Sequence, residues 1–147
     1  MRKLFLVNKF DDFYLDMAER TALLSHANRK KVGAIIVKDS NILAYGYNGT
    51  PSGADNCCEY PILDHGEELV TKQSVLHAES NALMKVAQSN ESTKDSTLYV
   101  TLSPCFECSK LIIQSGIKKV IFIEKYRDQS SISFLEDNNV EVKQIER

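Results

Sequence analysis

The sequence predicts an α/β fold in which a mixed five-stranded sheet is flanked by helices. Segments with helical spacing of apolar residues alternate along the chain with short β-branched runs. The first two such runs are joined by a tight turn, which predicts an antiparallel hairpin. The later part of the chain alternates strand, helix and strand, which favours parallel pairing with helices covering the sheet.

The first half of the chain opens with a predicted amphipathic helix over residues 10–27. Its apolar residues recur at spacings of three and four, and these are Phe10, Phe13, Tyr14, Met17, Ala18, Thr21, Leu24 and Ala27. Strands are predicted over 32–38 and 42–48, around the turn cluster Asp39–Asn41. The segment NGTPSGADN predicts a loop over 48–56. Residues 57–75 have no clear period and are predicted to form an irregular excursion.

The second half follows a regular alternation of helices and strands. In order, it predicts a helix over 75–88, a strand over 97–102, a helix over 104–115, a strand over 119–124, a helix over 131–137 and a strand over 140–145. Pro104 suits a first helical turn, and Gly116 suits a helix end. Neither a linker nor an internal repeat divides the chain, so we expect a single domain over 1–147.

Composition limits the classes of function. The chain is 43% hydrophobic and 26% charged with a net charge of -2, which argues against a protein that mainly grips a nucleic-acid backbone. No segment approaches the roughly 18 apolar residues of a membrane span, and the first residues lack the pattern of a secretory signal. We therefore expect a cytoplasmic protein with no membrane partner, whose four cysteines are reduced thiols or metal ligands.

Two short motifs carry the chemistry that the sequence suggests. They are His77-Ala78-Glu79 and Pro104-Cys105-Phe106-Glu107-Cys108. Two cysteines three apart at a helix start share one face, and thiolate and imidazole are ligands that zinc prefers. Three protein ligands leave one position for a water molecule, which zinc activates. Glu79 follows His77 closely enough to reach that water and to move its protons.

A less specific interpretation exists for each motif taken alone. A single CxxC is also typical of a redox pair or of half a structural zinc site, which Cys57 and Cys58 would complete. A lone HxE arises easily by chance. The combination of both motifs, each at a predicted helix start, is the general signature of zinc nucleobase deaminases, so we favour a catalytic zinc.

Around these motifs the sequence resembles the deoxycytidylate (dCMP) deaminase family of the cytidine deaminase superfamily. The resemblance also rests on Val32-Gly33-Ala34, on the GYNGTPSG segment over 46–53, and on the segment SGIKKV over 115–120. It implies a three-layer cytidine-deaminase-like fold and the conversion of dCMP and water to dUMP and ammonia, for dTMP synthesis. The GYNGTPSG segment separates this family from deaminases of free nucleosides and of nucleic acids.

The resemblance also implies roles for residues outside the metal motifs. Asn48 is similar to the family residue that binds the sugar hydroxyl, although an ordinary turn residue would look the same. Gly33 and Ala34 resemble the small backbone wall beside the cytosine ring, and close strand packing would also explain them. The carbonyl of Ser103 resembles the acceptor for the leaving amine. Candidates for the phosphate are Arg29, Lys31, Lys125, Tyr126 and Arg127. Of these, Arg29 and Tyr126 resemble family ligand positions.

The sequence departs from the family at a possible second metal site. Many members have a cysteine where this chain has Ala27, and in some relatives that cysteine helps to bind a structural zinc. Here Cys57, Cys58 and His65 remain, and a four-ligand site would need another group, such as Asp64 or Glu59. We therefore expect one catalytic zinc and no second ion. The family resemblance further implies a homohexamer and effector control by dCTP and dTTP.

Three other functions remain open at this point. The same chemistry would accept dCTP if the phosphate site were roomier. A tRNA adenosine deaminase would share the metal motifs, but the charge balance and the GYNGTPSG segment argue against it. A non-catalytic zinc or nucleotide-binding regulatory module would need no carboxylate at Glu79.

Overall fold

A computed structural model describes residues 8–61 and 69–147. In chain order its elements are α1 (Lys9–Ala22), β1 (Gly33–Lys38), β2 (Asn41–Tyr47), β3 (Glu59–Pro61), β4 (Leu69–Thr71), α2 (Ala78–Ala87), β5 (Thr97–Leu102), α3 (Phe106–Gln114), β6 (Lys119–Glu124), α4 (Ser130–Asp137) and β7 (Glu141–Gln144). Within the described residues, none of the helices has the length and apolar character needed to cross a bilayer.

The main sheet has five strands in the order β2-β1-β5-β6-β7. β1 pairs antiparallel with β2 and with β5, whereas the β5–β6 and β6–β7 pairs are parallel. The predicted mixed sheet and its initial hairpin are therefore confirmed. The segment predicted as irregular contains the short strands β3 and β4, which pair antiparallel as a separate two-stranded sheet.

Both faces of the main sheet are buried, which makes three layers. Along β1, Ala34 and Ile36 belong to one core cluster while Ile35 and Val37 belong to the other, as the alternation of side chains in a strand requires. The first cluster packs under α2, α3 and α4, and the second packs under α1. The chain thus forms the predicted helix–sheet–helix arrangement.

Helix α1 ends five residues earlier than predicted. Its start is capped by Asn8, whose Oδ1 accepts a hydrogen bond from the N–H of Phe10. After Ala22 the backbone continues in tight turns, because the N–H groups of residues 23–25 bond to carbonyls three residues back. The hydroxyl of Ser25 then donates to the carbonyl of Asn48, 2.7 Å away, which draws the chain toward the loop after β2.

Two glycines let helices approach the sheet on opposite faces. A Cβ atom on Gly33 would lie 2.1 Å from the carbonyl oxygen of Ala18 in α1. A Cβ atom on Gly46 would lie 2.3 Å from the carbonyl oxygen of Ala78 in α2. Neither distance allows a side chain, so these glycines set the depth at which α1 and α2 pack.

Helix α3 begins two residues later than predicted. Cys105 is its N-cap, with extended backbone angles, and its sulfur accepts a hydrogen bond from the N–H of Cys108 at 3.4 Å. Pro104 therefore lies before the cap rather than in the first turn. The hydroxyl of Ser131 in α4 donates to the carbonyl of Pro104 at 2.7 Å, which fixes the turn between β5 and α3.

Candidate active site

The starts of α2 and α3 bring the predicted metal ligands together. His77 is the N-cap of α2, and Cys105 is the N-cap of α3. The Nδ1 atom of His77 lies 3.4 Å from the sulfur of Cys105 and 3.4 Å from that of Cys108. The three ligand atoms lie within 4.8 Å of one another, and they form the one such cluster found in the described parts of the chain.

The donor set fits a zinc ion that has three protein ligands. The pKa of Cys105 is lowered to about 4, first because the thiol of Cys108 donates a hydrogen bond to it and also because His77 does. The pKa of Cys108 is raised, since its proton is held in that same contact and the group is buried. Zinc binds cysteines as thiolates, so a divalent cation would displace the proton that Cys108 retains.

Glu79 lies in the first turn of α2, two residues after His77. Its side chain is buried, with 4% exposure, and burial raises its pKa to about 7. A nearby cation favours the ionised form of a carboxyl group, so bound zinc would draw this pKa down. A buried carboxyl that changes protonation near neutral pH can take up and release a proton during a reaction.

A cavity of about 240 Å³ lies beside this cluster. The predicted site residues that line it are Arg29, Asn48, His77, Glu79, Ser103, Cys105 and Tyr126. Cys58 and Glu59, which the sequence offered as ligands of a second metal, also line it. The remaining lining residues are Ala27, Lys30, Val32, Thr71, Val75, Ala78 and Leu102. The cavity therefore joins the metal cluster to the predicted sugar and phosphate contacts.

Gly33 and Ala34 do not line this cavity. Both are buried in β1, and the N–H of Gly33 donates to the hydroxyl of Thr101 at 3.2 Å. The packing of α1 against Gly33 accounts for the small residue there. Their assignment as contacts to the cytosine ring stays a prediction.

The side chain of Asn48 holds the backbone before β1 in place. Its Oδ1 accepts a hydrogen bond from the N–H of Val32 at 2.9 Å, and its Nδ2 donates to the carbonyl of Lys30 at 2.8 Å. A side-chain amide offers two lone pairs and two hydrogens, so one of each is left for a ligand. Asn48 can thus shape the cavity wall and also contact a sugar hydroxyl.

Hydrogen bonds hold the segments that carry two further predicted contacts, Tyr126 and Arg29. The N–H of Tyr126 donates to the hydroxyl of Ser103 at 2.6 Å, which ties the residues after β6 to the end of β5. Arg29 Nη1 donates to the hydroxyl of Thr71 at 3.3 Å. Lys30, which was not singled out from the sequence, pairs with Glu124 at 2.7 Å.

The structure describes only some of the residues that were considered for a second metal. Cys57 is exposed and Cys58 is buried, and each thiol donates to a nearby backbone carbonyl. Burial raises the pKa of Cys58, which favours a neutral thiol. His65 and Asp64 lie outside the described residues, so the prediction that this chain binds no second ion is untested.

Sequence reasoning missed the contribution of the 57–75 segment to the cavity. Cys58, Glu59, Thr71 and Val75 all line it, although this part of the chain has no helical or strand period. The sequence pattern that could have indicated this role is weak: Glu59 is a charged residue between an apolar and an aromatic neighbour, Cys58 and Tyr60. Nothing in that pattern predicts that its carboxylate is buried.

A His/Cys/Cys centre beside a buried glutamate, set on a three-layer α/β fold, defines the class of zinc nucleobase deaminases. A family described as the cytidine and deoxycytidylate deaminase zinc-binding region matches residues 8–124. The deoxycytidylate deaminase of Mycobacterium phage D29 is 38% identical over 122 residues, covering 77% of this chain and 93% of that protein.

Two further relatives agree with this match. The deoxycytidylate deaminase of Enterobacteria phage T4 is 36% identical over 131 residues, covering 65% of this chain and 68% of that protein. The crystal structure of the dCMP deaminase from cyanophage S-TIM5 in complex with dCMP and dUMP superposes with a TM-score of 0.87 at 45% identity, covering 95% of this chain and 98% of that one. This chain belongs to the deoxycytidylate deaminase family.

Proposed function

We propose that this protein is a zinc-dependent deaminase that hydrolyses dCMP to dUMP and ammonia. The observation that carries the proposal is the cluster of His77, Cys105 and Cys108 beside the buried carboxyl of Glu79, on one cavity. Family membership and the dCMP-bound cyanophage relative support the choice of substrate. The reaction supplies dUMP, the precursor of dTMP.

The residues of this chain divide the chemistry among them. Zinc held by His77, Cys105 and Cys108 would supply an activated water for attack on the cytosine ring. Glu79 takes the two protons of that water in turn and delivers one to the ring nitrogen and one to the departing amino group. The water oxygen bonds to C4, the bond from C4 to the amino nitrogen breaks, and ammonia leaves. The carbonyl of Ser103 accepts a hydrogen bond from the amino group as it departs.

The remaining contacts orient the nucleotide. Asn48 binds the sugar through the hydrogen-bonding capacity that its backbone contacts leave over. Arg29 and Tyr126, which line the same cavity, meet the phosphate. Gly33 and Ala34 form the backbone next to the base, a role that rests on the family resemblance alone.

The test is to incubate the zinc-loaded protein with dCMP, dCTP, deoxycytidine and CMP in parallel. Ammonia and the matching uracil product are measured for each substrate. We expect turnover of dCMP and much slower turnover of the others. Comparable turnover of dCTP would keep the chemistry and widen the range of substrates.

Absence of turnover with all four substrates, with zinc bound, would contradict the proposal. The non-catalytic nucleotide-binding module would then take its place. Tight binding of a tRNA stem-loop in an electrophoretic shift assay would instead favour the tRNA adenosine deaminase. The net charge of -2 argues against that outcome.

For assembly and regulation we propose what the family resemblance implies, a cytoplasmic homohexamer under control by dCTP and dTTP. Light scattering measures the assembly, and the dCMP assay with added dCTP or dTTP measures the control. A monomer, or activity that neither nucleotide changes, would remove the corresponding part of this proposal without affecting the chemistry.

A further inference from the structure

Glu59 is a buried carboxylate on the wall of the cavity. It is the first residue of β3 and is 4% exposed. Its Oε2 accepts hydrogen bonds from two consecutive backbone N–H groups, those of Asn28 at 2.8 Å and Arg29 at 3.0 Å. Its other oxygen, Oε1, is buried and has no hydrogen-bond partner in the parts of the chain that the structure describes.

The buried, unpaired oxygen of Glu59 requires a hydrogen-bond donor. Burying a charged acceptor without a hydrogen bond carries a large free-energy cost, and most buried side-chain polar atoms have a partner. Glu59 lines the same cavity as His77, Glu79 and Asn48. A nucleotide bound in this cavity is therefore the candidate donor for the missing hydrogen bond.

The chemistry of the substrate narrows the choice of donor. This step rests on the function proposed above. A deoxycytidine monophosphate offers two kinds of hydrogen-bond donor, the amino group of the base and the 3′-hydroxyl of the sugar. The amino group must lie at Glu79 and the metal centre for the reaction, and the phosphate is anionic and would repel a carboxylate.

We propose that Oε1 of Glu59 accepts a hydrogen bond from the 3′-hydroxyl of the substrate and so selects nucleotides that carry it. A hydroxyl donates one hydrogen bond and accepts others. The 3′-hydroxyl can therefore donate a hydrogen bond to Glu59 and accept one from the remaining Nδ2 hydrogen of Asn48. Through Oε2, the same carboxylate also holds the backbone of Arg29, our candidate for the phosphate contact. Glu59 thereby links sugar recognition to the position of the phosphate-binding side.

The first measurement needs only the wild-type, zinc-loaded protein. Its kcat/KM is compared for dCMP and for 2′,3′-dideoxycytidine monophosphate, which lacks the 3′-hydroxyl. Loss of the hydroxyl leaves a buried charged acceptor unpaired, so we expect a preference for dCMP of about 10- to 100-fold. Equal kcat/KM values for the two nucleotides would overturn the proposal.

The second measurement repeats this comparison in variants at Glu59. In Glu59→Gln the side chain keeps its shape and can still accept from the backbone of Asn28 and Arg29, but it faces the sugar with a neutral amide. We expect the preference for dCMP to fall severalfold, and to fall further in Glu59→Ala. Glu124→Gln is the matched control, because it removes an exposed carboxylate that pairs with Lys30 of the cavity wall, and it should keep the wild-type preference.

The ratio separates binding of the hydroxyl from general damage, since a distorted site would lower both kcat/KM values together. A Glu59→Gln ratio equal to that of wild type would refute the role of Oε1 while leaving dCMP deamination intact. Failure of the wild type to deaminate dCMP would instead refute the proposed function, and this inference with it.

Discussion

At the scale of single residues, two glutamates near the metal centre differ in environment. Glu79 is buried beside His77, and burial raises its pKa to about 7. Glu107 lies between the two metal-binding cysteines in sequence, but its side chain is 78% exposed and pairs with Lys110 at 2.7 Å. Sequence distance to the metal ligands is similar, so burial and orientation decide which carboxyl group can serve the reaction.

We expect Glu79→Gln to bind zinc and to lose turnover of dCMP by about 10²- to 10⁴-fold, because an amide cannot take up the proton. Glu107→Gln is the control and should have nearly wild-type turnover, since exposed ion pairs contribute little. Steady-state kinetics and the zinc content of each purified variant are the measurements. A Glu79→Gln variant with near wild-type kcat would remove this residue from the mechanism.

The cysteines differ in the same way. Cys105→Ser should lose bound zinc and show a lower melting temperature, because metal binding and folding are coupled at such a site. Cys57→Ser should keep its zinc and its stability, because Cys57 is exposed and belongs to no cluster of ligands in the part of the chain described. Elemental analysis before and after the substitution gives the number of ions per chain. Loss of one zinc from two in Cys57→Ser would show that our expectation of a single ion is wrong.

At the scale of elements, the catalytic helix α2 is positioned by a residue that takes no part in chemistry. Gly46 lies in β2, and a Cβ atom there would lie 2.3 Å from the carbonyl oxygen of Ala78 and 2.6 Å from the amide nitrogen of Ala82. Because these are backbone atoms, a side chain at residue 46 would have to push the whole helix outward. His77 and Glu79 would move with it.

We therefore expect Gly46→Ala to lower the free energy of unfolding by about 1–3 kcal/mol, the usual cost of overpacking. Gly49→Ala is a matched control three residues away, where the added Cβ would meet a single atom of Tyr47 at 4.0 Å. It should be neutral or slightly stabilising. Urea denaturation of the two zinc-loaded variants gives the comparison, and equal denaturation midpoints would mean that α2 does not rest on Gly46.

The elements that sequence predicts best are those with a strong period. The strands β5 and β6 have the predicted bounds, and α2 begins at Ala78, beside His77 and three residues after the predicted start. The end of α1 was misplaced because Leu24 and Ala27 continue the helical spacing. The real path is set by the hydroxyl of Ser25, which donates to the distant carbonyl of Asn48 and accepts from the nearby N–H of Ala27. The metal cluster was predictable because ligand spacing is local, whereas the burial of Glu59 depends on contacts with residues about 30 positions away.

At the scale of the whole molecule, one buried hydrogen bond joins the layer formed by α1 to the sheet. The hydroxyl of Tyr99 in β5 donates to Oδ1 of Asp11 in α1 at 2.6 Å, and both residues are buried. Burial and the Asp11 carboxylate raise the pKa of Tyr99 above its ordinary value of 10.0. The neutral phenol is therefore the form that the native state requires.

This contact predicts how the stability of the molecule depends on pH. Above about pH 10 the unfolded chain releases the Tyr99 proton while the native state keeps it, so the native state binds more protons and stability falls as pH rises. The free energy of unfolding falls by about 1.4 kcal/mol for each pH unit above the ordinary tyrosine pKa, and below that pKa the stabilisation from the Tyr99 proton is fully present.

We expect urea denaturation between about pH 8 and pH 11 to show this slope in the wild type and in Tyr60→Phe, whose ring is 56% exposed. In Tyr99→Phe that part of the slope should be absent, and stability near neutral pH should already be lower by about 1–3 kcal/mol, since a hydrogen bond to Asp11 is lost. Equal slopes in both variants would mean that α1 is held to the sheet by its apolar contacts alone, and that Tyr99 ionises without disturbing them.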